Sequence, residues 1–165
     1  MTEIFEENLS ELYSLAFLLS GTVDRGVEAF DRALDFEDEN PREVIIDEAL
    51  GTIRTELRVS KLRVARTADD GLANARWKRR AYIGREEFEE AVIAIDAFPR
   101  CAMLLTIFEG KSIGEASVLL HEDEKLTQKA QRIGIVQLTS NLAGDGGRDP
   151  YREPGRNPVP VLSLG

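Results

Sequence analysis

Apolar positions recur along this chain at intervals of three and four, the spacing of helices that bury one face. Near the N-terminus Ile4, Leu9, Leu12, Leu15, Ala16 and Leu19 keep that rhythm, and Gly21 ends it. Thr22 or Asp24 can start a second helix, with Val23, Val27, Phe30 and Leu34 as its expected inner side. Residues 35–40 are mostly acidic and read as a loop. Pro41 suits the start of a helix, because its missing N–H would find no partner there. From it the pattern predicts one long helix to about Arg66, with Val44, Ile45, Ala49, Ile53, Leu57 and Leu62 as core positions. Over residues 67–84 the periodicity weakens and Asp70-Gly71 signals a turn. No run of strict alternation argues for strands, so the fold class is all-α.

A second periodic block begins near Arg85, where FEEAVIAIDA reads as a helix. Pro99 is expected to open a short helix, and Gly110 fits the position after its end, where φ is positive. Ser112 can cap the next helix, with Glu115 completing a capping box. Ile113, Ala116, Val118, Leu119 and Leu120 give that helix an apolar face, and His121-Glu122-Asp123 makes a turn. Leu126, Ala130, Ile133, Ile135, Val136 and Leu138 then form the stripe of a last helix. Two helices joined by a tight turn behind a supporting helix predict a helix-turn-helix. The expected organisation is therefore two small helical blocks, residues 1–67 and 85–143, joined by a linker over 68–84. Residues 144–165, containing GDGGRDPYREPGRNPVP, read as a flexible tail.

Composition narrows the function. A hydrophobic content of 42% with 31% charged residues describes a folded globular protein. The apolar run at residues 15–19 is too short to span a bilayer, and Glu3, Glu6 and Glu7 do not resemble a secretory leader. No membrane partner is expected. The lone Cys101 suits a reducing cytoplasm and reads as a small packed side chain. The cytoplasmic location is an expectation on that basis. Carboxylates abound, but without a paired site or a Gly-rich phosphate loop. His121 sits in a turn with no second His near it. No catalytic residue, metal ligand or cofactor is assigned.

The net charge of −9 opposes binding to a polyanion unless positive charge is gathered locally. It is gathered in three places. Residues 68–85 carry five basic against two acidic groups, densest at Arg76, Trp77, Lys78, Arg79 and Arg80. There Trp77 could stack on a base between phosphate contacts, or simply pack against the next helix. Arg54, Arg58 and Lys61 lie four and three apart, extended by Arg63 and Arg66. Lys125, Lys129 and Arg132 also share a face, with Gln128 able to reach a base edge. The rows on the two helices also have a plainer reading as solvated helix faces, which for Arg54, Arg58 and Lys61 is the usual one.

The segment AIDAFPRCAMLLTIFEGKSIGEASVLL resembles the extracytoplasmic-function sigma factors of bacterial RNA polymerase. Phe98-Pro99-Arg100 occupies the family's turn, Leu104-Leu105 and Phe108-Glu109-Gly110 its hydrophobic helix and stop, and Ser112, Glu115 and Ala116 the next cap and helix. ELYSLAFLLSGTVDRGVEAFDRALD is similar to the family's opening helix, turn and clamp-gripping helix. The resemblance implies a transcription initiation protein that binds core RNA polymerase through its first block. It implies promoter DNA contacts from Lys125, Gln128, Lys129 and Arg132, and from Arg54, Arg58 and Lys61 further upstream in the chain. The basic linker would touch nucleic acid or polymerase. GTIRTELRVSKLR stands where the family carries Trp-Leu followed by Ala-Arg-Asn. That departure and the acidic balance fit an alternative, a sigma mimic or adaptor that binds an anti-sigma factor or polymerase without DNA.

Overall fold

A computed structural model describes residues 2–35, 40–68 and 83–143, with side chains from Leu9 onward. The linker residues 76–80 and the tail 144–165 lie outside the described residues. Helix α1 (Thr2–Ser20) ends at Gly21, whose φ of +88° is a conformation that favours glycine. Thr22 caps α2 (Val23–Ala33) by accepting the N–H of Arg25. The inner face of α2 is Gly26, Ala29 and Ala33, not the expected stripe of larger residues. Val23, Val27 and Leu34 are 56%, 42% and 55% exposed, and Phe30 is half-buried, edge-on to Tyr13. The cause is close approach: a Cβ on Gly26 would lie 2.9 Å from Phe17 Cα, so α1 and α2 meet through small residues.

The expected long helix is two. α3 (Pro41–Thr52) begins with Pro41 behind an Asn40 cap and stops at Ile53, whose φ and ψ of −121° and 25° break it. Thr52 helps close the last turn by donating to Ala49 O at 2.7 Å. α4 (Arg54–Arg66) leaves in a new direction, which resets which side faces inward. Ile53, Leu57, Ser60 and Val64 are buried, whereas Leu62, an expected core position, is 55% exposed.

α5 (Arg85–Ile93) leads to α6 (Ala97–Met103), every residue of which is buried. Pro99 is the third helical residue instead of the first. The exchange costs no hydrogen bond, because N–H groups throughout the first turn have no intrahelical partner. α6 runs into a π-helical turn, Leu104–Phe108, which ends before Gly110 at φ +75°. Ser112 and Glu115 form the expected capping box on α7 (Ile113–Leu120), at 3.0 and 2.9 Å. His121 takes the left-handed conformation, and Asp123 caps α8 (Glu124–Leu142) by accepting from Leu126 N at 2.7 Å. Val118 and Val136, expected on apolar faces, are exposed. Their places against the core fall to Ser117 on α7 and to Thr127 and Gly134 on α8, which allow closer approach.

The described residues thus form an all-helical fold in two groups, α1–α4 and α5–α8. α6 is the element on which both groups meet, packing against α8, α4 and α1. Leu19, Ile46, Ile53, Phe98, Met103 and Leu138 belong to one continuous buried cluster. Polar contacts cross the same seam. Ser60 of α4 accepts from Phe98 N at 2.9 Å and donates to Asp96 at 2.8 Å. Arg63 pairs with both Asp96 oxygens, Arg42 with both Glu109 oxygens, and Lys111 with Glu43.

Candidate nucleic-acid interface

Capping decides where α8 begins, and therefore which residues lead it. Asp123 fixes the first turn, which puts Lys125 and Gln128 on the exposed side and Lys129 and Arg132 half-buried beside them. Thr127, Ala130, Ile133 and Gly134 turn inward. The neighbouring Gln131 is drawn off that face, donating to Thr106 Oγ1 at 2.9 Å while Thr106 donates to Ala102 O. The positive end of the helix macrodipole adds to the lysines there. Glu122, Asp123 and Glu124 subtract from them.

The row on α4 divides. Arg54 and Arg58 are exposed. Lys61 is half-buried, donates to Leu120 O at the end of α7, and lies 5.8 Å from the Phe98 ring centre. Burial pushes its ammonium below the usual lysine range, with Arg54 and Arg58 adding repulsion and Glu122 opposing. A cation on the last carbonyls of a helix is favourably placed. Lys61 therefore binds α4 to the end of α7, and Arg63 is engaged at Asp96. Asp96 is held below the usual carboxylate range, chiefly by the Arg63 hydrogen bonds, against the effect of its partial burial.

Two features escaped the periodicity reading. One is the outward stripe of α2, which has a visible helical spacing but no local sign of which side faces out. The other is Arg100, 6% exposed within an apolar run, whose Nη1 donates to Ile95 O at 2.8 Å and Nη2 to Leu19 O at 3.2 Å. Beside it Cys101 is fully buried, and burial pushes its thiol up to about 11. Among the described residues, no group of His, Cys, Asp and Glu could hold a metal ion, and no helix is long and apolar enough to cross a membrane. Comparison with family models, curated proteins and solved structures finds no match to this chain.

Proposed function

We propose that this chain is a sigma-factor-like transcription initiation protein, in which α2 docks on core RNA polymerase and α8 approaches promoter DNA. The observation that carries the reading is the outer face of α2. Val23, Val27 and Leu34 stand exposed at helical spacing around the half-buried Phe30, the pattern of a helix laid against a partner's groove or helix. On α8, Lys125 and Gln128 stand exposed near the helix start, with Lys129 and Arg132 beside them, where phosphate and base-edge contacts are made in helix-turn-helix proteins. Docking on polymerase would compensate for the net charge of −9 by raising the local concentration of the DNA-reading helix.

A second reading, a mimic that binds polymerase or an anti-sigma factor without reading DNA, draws on the anchored Lys61 and the acids around the turn. Titration of the full chain against core RNA polymerase, followed by genomic DNA, separates the two. Binding to core that is lost in Val27→Glu/Leu34→Glu, with DNA retention lost in Lys125→Glu/Lys129→Glu, is the result expected of a sigma-like protein. Core binding without DNA retention selects the mimic. No binding to core removes both polymerase readings.

A further inference from the structure

The seam between the two helical groups holds a cavity of about 480 Å³, within the size range of small-molecule sites. Its walls come from the end of α1, the starts of α2 and α4, and the approach to α6. Three arginines reach it, one from each of three helices: Arg25, Arg63 and Arg100. Two are already neutralised, Arg25 by Glu56 and Arg63 by Asp96. Arg100 is not. No carboxylate among the described residues pairs with it; two carbonyls take one N–H each, and Nε has no hydrogen-bond partner. A guanidinium carries five N–H donors, so carbonyl caps leave much of this one unsatisfied. A largely buried cation without a counter-charge is costly, and an anion relieves that cost.

The surroundings are built for this arginine. A Cβ on Gly21 would lie 2.8 Å from Nη2, so glycine supplies both the positive φ and the room for the guanidinium. First-turn residues of α2 and α4 line the cavity, and α4 starts without a side-chain cap, so its first-turn N–H groups are left for a ligand or water. The lining also includes the aliphatic Ile53, Val59, Ile95 and Ala97, and the carboxylates Glu56 and Asp96 that pair with Arg25 and Arg63.

From these observations we propose that the cavity binds a small oxyanion carried on an apolar body, an organic carboxylate or phosphate monoester, with Arg100 as its principal counter-charge. Arg25 and Arg63 flank the anion from α2 and α4, and the apolar part rests against the exposed side of Val59. Because the arginines come from both helical groups, the ligand ties those groups together. The inference stands independently of any polymerase interaction.

Calorimetric titration of the full chain with phenyl phosphate, benzoate and inorganic phosphate, at constant ionic strength, tests it. Saturable binding of phenyl phosphate or benzoate is expected, at least tenfold tighter than inorganic phosphate and weakened at least tenfold by Arg100→Met. Val59 is 46% exposed, so Val59→Glu puts a carboxylate at the mouth without disturbing the core and should abolish binding in a folded protein. Cys101 gives a second readout, since its thiol meets the same Leu19 carbonyl as Arg100 at 3.5 Å. At tenfold Kd, ligand should slow alkylation of Cys101 by about tenfold, because alkylation requires opening. Absence of saturable binding by phenyl phosphate and benzoate overturns the proposal, as does binding that Val59→Glu leaves unchanged. Inorganic phosphate binding as tightly as phenyl phosphate overturns its apolar half.

Discussion

Replacing Gly134 by alanine tests how closely α6 and α8 approach. The added Cβ would lie 2.6 Å from Pro99 O, 3.2 Å from Pro99 C and 3.0 Å from Met103 Cβ. These atoms belong to a helix buried along its whole length, so no flexible side-chain end can swing away. Relief requires the two helices to move apart by roughly half an ångström or more, which forfeits a quarter or more of the attraction at each contact. Overpacking of this kind costs about 1–3 kcal/mol, and a backbone contact belongs at the upper end. Alanine returns about 1 kcal/mol through its helix propensity. The net expectation is about 2 kcal/mol of destabilisation, a fall in Tm of about 4–8 °C for a chain of this size. Gly51 in α3 is the control, because a Cβ there meets nothing within 4 Å. The same substitution at Gly51, in the last turn of α3, should stabilise by about 0.5–1 kcal/mol from propensity alone. Urea denaturation of both variants reads the two free energies. A Gly134→Ala protein as stable as the parent, beside a stabilised Gly51→Ala, would refute the close helix packing.

Ser60→Ala leaves the buried N–H of Phe98 without an acceptor and should cost about 1–3 kcal/mol. Urea denaturation measures it, and a change below about 0.5 kcal/mol would mean the hydroxyl is dispensable to the seam. Acid should weaken the same seam. Asp96 titrates lower folded than unfolded, so its contribution is complete above the unfolded value of about 3.9 and is lost as pH falls through the lower folded value. The stability difference between the parent and Asp96→Asn should therefore shrink as pH drops below about 4, and a difference constant from pH 2 to 7 would contradict that pairing.

Local chemistry carried much of the fold in readable form. Ser112 with Glu115, Thr22, Asn40 before Pro41, Asp123 and the glycines at 21 and 110 mark helix ends by interactions within a few residues, and these elements stand where such signals put them. The outward placement of Lys125 and Gln128 on α8 was legible for the same reason, since the cap sets the helix and the helix sets the face. Other features needed partners distant in the chain. Val23, Val27 and Leu34 have the spacing of a core stripe, but α1 comes so close at Phe17 that only Gly26, Ala29 and Ala33 fit against it. Ile53 gives no breaker signal, yet the chain turns there and exposes Leu62 while burying Ser60. Lys61 looked like one more surface cation and became a bond between α4 and α7. Arg100, polar amid apolar neighbours, acquires its carbonyl partners only when α1 and the α5–α6 junction meet. Periodicity reveals that a helix has two sides. Which side is buried depends on the distance to its neighbour, and that distance is set by packing between segments the sequence does not place side by side.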